Sequence, residues 1–263
     1  MALLTVPNSW GLHEHGTPGD PDYPHPKGGK AVSGTLEKPG GGKITVEVEE
    51  PASQAALKGV FGDADPDEVL ARLARQFDGD VTISMAVGAQ TGALGIKIKD
   101  AAGNVLTQQF KRQSDGTLTA VIPYFFVEKP GRDRGLAKRV LRDTMQVYDR
   151  LGVTKVQLEA NIDVGGYAWA KFGWTTTDPD DFRAQVLVQL LGPRGRMIDK
   201  AERTAIIAFV NEHKGPKLPW HVAGLSINGK KFGKSLMLGT SWQAEFSLAD
   251  MEARDRFHAY VGG

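Results

Sequence analysis

Arg132, Arg134 and Gly135 stand together between an apolar run, Leu118 to Val127, and an amphipathic helical run, Leu136 to Arg150. In the helical run Leu136, Val140, Leu141, Met145 and Tyr148 form one stripe of a 3.6-residue period. A buried strand, a glycine-bearing turn and a helix N-terminus make the geometry of an anion site. The first-turn N–H groups of a helix have no intrahelical acceptor, and its dipole puts partial positive charge at that end. Two guanidinium groups add to that charge. Gly135 would let a ligand's oxygens reach the backbone without meeting a Cβ.

The elements that must hold this turn are readable upstream. Ile44 to Glu50 alternates apolar and polar residues and predicts a half-buried strand ended by Pro51. Helices are predicted over residues 52–60 and 66–77, the second opened by Asp65-Pro66-Asp67-Glu68 as cap, first-turn proline and acidic turn. Strands follow at Val81 to Val87, Leu94 to Lys99, Val105 to Lys111 and Leu118 to Val127, separated by glycine-bearing turns. Val153 to Ala160 predicts a further strand.

At these residues the chain resembles the GCN5-related N-acetyltransferases, the GNAT family. Arg132-x-x-Gly135-x-Ala137 is similar to the family's Arg/Gln-x-x-Gly-x-Gly/Ala loop. Asn161 to Trp174, which contains Tyr167, Trp169, Lys171 and Gly173, resembles its Asn…Tyr-x-Lys-x-Gly-Phe segment. The two motifs lie within residues 118–174 of the 263. The order of elements (strand, two helices, antiparallel strands, strand–helix–strand–helix) agrees with the family independently of the motifs. The resemblance implies an α/β fold with a mixed sheet and acyl transfer from acetyl-coenzyme A to an amine by direct attack. It further implies that Arg132, Asp133, Arg134, Gly135, Leu136 and Ala137 hold the pyrophosphate. Val127 would offer backbone hydrogen bonds to the pantetheine arm, and Asn161 matches the asparagine after the next strand. Candidate bases are Glu128 and Glu159. Glu159 has the better position, unless it is an outward-facing charge on an alternating strand. Where the family carries a tyrosine acid this chain has Trp169. Tyr167 is the phenol left as acid candidate; it lies about 200° round a helix from Trp169 and does not simply replace it. Asp163 reads as a helix cap.

After Trp174 the sequence departs from the family, which would supply two more strands. Asp178-Pro179 starts a helical pattern to Leu191, a second helix is expected from Asp199 to His213, residues 225–242 are ambiguous, and Ser247 is expected to cap a last helix, Leu248 to Val261. Three regions are therefore expected: an extended arm over 1–43, a GNAT-like domain over 44–177 and a mostly helical subdomain over 178–263. Gly229-Lys230-Lys231-Phe232-Gly233-Lys234-Ser235 mimics a phosphate-binding loop but has one residue too few between its glycines.

The arm is rich in proline, glycine and histidine and cannot bury enough apolar area to offset its ordering entropy. Leu3, Leu4, Val6, Trp10 and Tyr23 are anchors for another chain, giving a protein partner or a homo-oligomer; wrapping around the parent domain is the alternative. His13, His15 and His25 with Glu14, Asp20 and Asp22 match no closed metal-ligand set. The hydrophobic fraction is 41%, the charged fraction 24% and the net charge +1, which gives no global push toward nucleic acid or an anionic membrane. With 0 cysteines there is no disulfide framework and no thiol nucleophile. No apolar run is long enough to span a bilayer, and the N-terminus does not read as a secretion signal. A cytoplasmic or virion-associated location is expected. The alternative to an enzyme is a catalytically degenerate scaffold of the same fold in a large assembly such as a phage particle.

Overall fold

The computed structural model describes residues 32–38, 41–48, 54–88, 91–161 and 165–262. It is a mixed α/β protein whose chain divides into two compact units, the division falling between Val156 and Gln157. The anchors Leu3 to Tyr23 and the histidines of the arm lie outside the described residues.

The first unit is built on six strands in the order β1-β2-β3-β4-β5-β6. They are β1 (Val32–Glu37), β2 (Lys43–Val48), β3 (Val81–Val87), β4 (Leu94–Asp100), β5 (Val105–Arg112) and β6 (Leu118–Phe126). β1 falls inside the stretch expected to be an arm. It pairs antiparallel with β2, Leu36 opposite Ile44. Lys38, at its end, is buried and gives its ammonium to the carbonyls of Phe77 and Gly79. The glycine-rich composition hid a strand whose backbone is satisfied by a neighbour. β2 runs parallel to β3, and β3 to β6 form an antiparallel meander.

The parallel step from β2 to β3 is spanned by α1 (Gln54–Phe61) and α2 (Pro66–Ala74). Asp65 caps α2 by accepting from the Asp67 amide at 3.0 Å. Its apolar face, Val69, Leu70, Leu73 and Ala74, is buried, as are the alternate strand residues Ile83, Ile96, Ile98, Leu106, Phe110 and Ala120. Burial of each large side chain contributes about 1.5–3 kcal/mol.

β6 leads to a short helix, α3 (Lys129–Asp133), and then to α4 (Leu136–Leu151). Leu136, Val140, Leu141, Met145 and Tyr148 are buried, as the stripe predicts. Gly152, with φ 69°, stops α4. The unexpected residue on its inner face is Asp143, 1% exposed, which accepts from Arg75 at 2.9 and 3.0 Å and from Gln76 at 2.7 Å. These bonds tie α4 to the end of α2. β7 (Val153–Ala160) follows, its first half in this unit and its second half in the next.

The second unit contains α5 (Gly165–Lys171), β8 (Thr175–Thr176), α6 (Pro179–Leu191), α7 (Pro193–Arg196), α8 (Lys200–Glu212) and α9 (Leu218–Gly224). A hairpin of β9 (Ser226–Ile227) and β10 (Lys230–Lys231), α10 (Gly233–Met237), β11 (Trp242–Ser247) and α11 (Met251–Val261) complete it. Two expectations need correction. Residues 242–247 are a strand, with Trp242, Ala244 and Phe246 buried, and β11 pairs antiparallel with β8. Ser247 ends that strand, and the cap of α11 is Asp250, which accepts from the Ala253 amide at 3.1 Å. The core is aromatic: Trp169 lies edge-on to Trp174 with ring centroids 5.2 Å apart, and Trp174 meets Phe246 at 5.6 Å. Gly173 is obligatory here, since a Cβ would stand 2.6 Å from the Ala253 carbonyl oxygen.

Candidate functional site

The turn between β6 and α4 is more structured than a bare loop. Lys129–Asp133 forms a helical turn, with Pro130 near its start where no N–H is needed. Gly131 is packed tightly: a Cβ there would meet Val127 Cγ1 at 2.8 Å and Leu136 Cδ2 at 3.0 Å. Gly135 differs. It is the N-cap of α4 with φ 67°, the left-handed region, and a Cβ on it would meet nothing within 4 Å. One glycine serves packing; the other serves backbone conformation and stands against open space.

A buried polar network holds the turn. Asp100 and Asn104 close the β4–β5 hairpin, with Asn104 donating to Asp100 Oδ2 at 2.7 Å and its amide to Oδ1 at 2.9 Å. Asn104 Oδ1 accepts from the Glu128 amide at 2.8 Å, fixing the end of β6. Asp100 also accepts from the Asp78 amide at 3.0 Å, and the Asp78 carboxylate pairs with Arg134 at 2.5 Å. Asp100, Asn104 and Asp78 carry no sequence signal that marks them as partners of the turn. Only the pairing of β4 with β5, and the fold of the chain before β3, brings them there.

The predicted residues of the first unit are thus placed as follows. Arg132 is exposed on α3; its Nε donates to the Val127 carbonyl at 2.7 Å, and its guanidinium lies over the Phe126 ring at 5.8 Å. The Val127 acceptor expected for the pantetheine arm is therefore engaged by Arg132. Asp133 is exposed and Arg134 is tied to Asp78. The Gly135 amide donates to the Arg132 carbonyl at 3.0 Å, while the Gly135 carbonyl accepts from Lys138 at 3.1 Å. Leu136 is buried and Ala137 half-buried. The amides of Leu136 and Ala137, opening α4, have no acceptor within the helix. Glu128 is half-buried at the N-cap of α3.

The helix starts differ in charge. α2, α6, α8 and α11 each open on a capping Asp that accepts backbone amides, with an acidic residue in the first turn. α4 has no acidic residue in its first turn and no side-chain cap. Lys138 and Arg139 stand there instead, beside Arg132 and Arg134. Cations at a helix N-terminus oppose the dipole by about 0.3–1 kcal/mol each at low ionic strength, and an anion would remove the conflict.

In the second unit, Glu159 lies half-buried on β7 and accepts from the Ser241 hydroxyl at 2.8 Å. Burial pushes the Glu159 carboxyl above its ordinary value, and the Ser241 hydrogen bond pulls it back in part. Ser241 is itself clamped: its amide donates to Gln185 Oε1 at 2.8 Å and its carbonyl accepts from Gln185 Nε2 at 2.6 Å. Ser241 and Gln185 escaped the sequence because they lie in a turn and on a helix remote from β7 in the chain. Asn161 follows β7 directly. Tyr167 is half-buried on α5. Trp169, at the position of the family's tyrosine, is 3% exposed and belongs to the aromatic core. Asp163 lies outside the described residues. The mimic of a phosphate loop is a hairpin turning on Asn228 and Gly229, both with positive φ, and Lys230 pairs with Glu202 at 2.6 Å.

Compared with known protein families and with curated proteins, the chain matches no family model and no curated relative.

Proposed function

We propose that this protein is an acetyl-coenzyme A-dependent N-acyltransferase of GNAT-like fold. The observation that carries the reading is the start of α4: a left-handed glycine facing open space, the Leu136 and Ala137 amides without an acceptor within the helix, and basic side chains in place of the acidic ones that open α2, α6, α8 and α11. That is a binding site for a pyrophosphate. The pyrophosphate end of the coenzyme fits, held by the Leu136 and Ala137 amides with Arg132 and Arg134. Contact of the pantetheine arm with Val127 requires Arg132 to give up the Val127 carbonyl. The coenzyme supplies the acyl group as a thioester. Glu159 accepts the proton of the attacking amine, and its pKa, raised by burial, makes it a better base than an exposed carboxylate; Ser241 fixes its orientation, and Tyr167 is the donor for the leaving sulfur.

The test is release of free thiol from acetyl-coenzyme A in the presence of a panel of primary amines. The expected result is amine-dependent release. In Glu159→Gln turnover should fall by about 100-fold or more, with loss of the acidic limb of the pH–rate profile. No thiol release with any amine would contradict catalysis. A second reading, a scaffold of the same fold without turnover in a large assembly, is favoured by Trp169 standing in the core and by Arg132 closing on Val127. It predicts no thiol release, and assembly through the part of the arm that precedes β1. Sedimentation of the chain lacking residues 1–31, which keeps β1 and Lys38 in the sheet, would then show a smaller particle.

A further inference from the structure

A groove of about 460 Å³ opens in the second unit between α8, α9, β9 and α11. Its volume is that of a small-molecule site. Phe209, Leu225 and Ile227 give it an apolar side; His213, His221 and Arg256 line the other, with no carboxylate among the lining residues.

The polar side is assembled with care. His213 stacks on Phe209 with ring centroids 4.0 Å apart, and its Nδ1 lies 2.9 Å from the Phe209 carbonyl oxygen. A carbonyl only accepts, so Nδ1 carries the proton and Nε2 of the neutral ring presents a lone pair, an acceptor. The His221 ring is 4.4 Å from that of His213. Arg256 packs over Trp220, its guanidinium 5.3 Å from the ring, and Trp220 is fixed by donating to the Trp174 carbonyl at 2.6 Å. Arg256 reaches the Trp220 carbonyl only at 3.4 Å, and its buried Nε has no hydrogen-bond partner among the described residues. The terminal nitrogens of this guanidinium, held among the described residues only by that long contact and lining the groove with His221, are unspent capacity for an anion. Glu252 and Asp250, at the start of the same helix, are paired with Lys217.

We propose that this groove binds an organic phosphate monoester, with its apolar body against Phe209, Leu225 and Ile227 and its dianionic head held by Arg256 and His221, the His213 ring lining the wall beside them. A dianion matches a guanidinium and a protonated imidazole better than a carboxylate does, because it offers more acceptors and more charge.

Burial holds His221 below its ordinary value, helped by His213, Arg256 and Lys217 and opposed by Glu252. A bound dianion reverses that balance, so binding draws a proton onto His221. Affinity should therefore rise as pH falls toward 6.5.

The test uses the full chain and phenyl phosphate, followed by calorimetry and by the imidazole proton resonances. The expected results are shifts of the His213 and His221 signals, binding roughly threefold tighter at pH 6.5 than at pH 8, and proton uptake visible in buffers of different ionisation enthalpy. Arg256→Gln should weaken binding by about tenfold or more. His221→Gln, at an exposed position that leaves the fold intact, should abolish the proton uptake. Benzoate and inorganic phosphate should each bind more weakly. The proposal is overturned if phenyl phosphate leaves the histidine signals unmoved, if Arg256→Gln binds it like the parent, or if benzoate or inorganic phosphate binds equally well.

Discussion

The turn before α4 and the groove beside α9 are both basic, but they spend their polar groups differently. In the turn, Arg132 is bonded to Val127, Arg134 to Asp78, and Glu128, Asn104 and Asp100 to one another. What remains for a ligand is backbone: the first amides of α4 and the space beside Gly135. In the groove the walls are helices and the β9–β10 hairpin, and what remains for an anion is side chain: the His221 ring and the terminal nitrogens of Arg256. The difference teaches how each region should respond to change. A site made of backbone must be held by a stiff frame, so mutations around it cost stability. A site made of half-exposed side chains has little frame of its own, so mutations there cost binding and spare the fold.

The largest effect expected is at the frame of the turn. Asn104→Ala removes the acceptor of the Glu128 amide and the donor to buried Asp100, a loss of about 2–3 kcal/mol read from urea denaturation. A cost below 0.5 kcal/mol on that scale would mean the network is not what holds the turn. Next is Gly131→Ala, whose Cβ would press on Val127 and Leu136. Overpacking of this kind costs about 1–3 kcal/mol, and an unchanged denaturation midpoint would break the distinction drawn between Gly131 and Gly135. In the groove, Arg256→Gln should cost under about 1 kcal/mol, the scale of its contact with Trp220. A larger loss would make Arg256 part of a frame after all.

The smallest effect is a pH slope. Since the folded pKa of His221 is depressed, the unfolded chain binds more protons between that value and about 6.5, so stability falls as pH drops through this window. His221→Gln should flatten that part of the stability–pH curve, and an unchanged slope would assign it to another group.

The same contrast explains what was legible in the sequence. The turn is contiguous, and its strand, glycine and helix announce themselves through period and propensity; β3 to β7 and α4 lie where the patterns put them. The parts that hold the turn, Asp78, Asp100 and Asn104, come from other elements, and no local pattern reports a partner across a sheet. β1 was masked by glycine and proline around it. β11 was missed although Trp242, Ala244 and Phe246 alternate, because a six-residue strand between helical runs resembles a short apolar turn of helix. The groove draws residues from α8 to α11, and its defining feature, Arg256 brought together with His213 and His221, exists only in three dimensions.

The most direct test of the central claim is a pair of calorimetric titrations with acetyl-coenzyme A, on the parent chain and on Gly135→Asn. Asparagine tolerates the left-handed backbone at position 135 and places its side chain in the open space where the pyrophosphate is to sit. The account predicts a melting temperature within a few degrees of the parent and a loss of acetyl-coenzyme A affinity of about tenfold or more, while Arg256→Gln keeps that affinity. Equal binding by the parent and Gly135→Asn, or no binding by the parent, would contradict it.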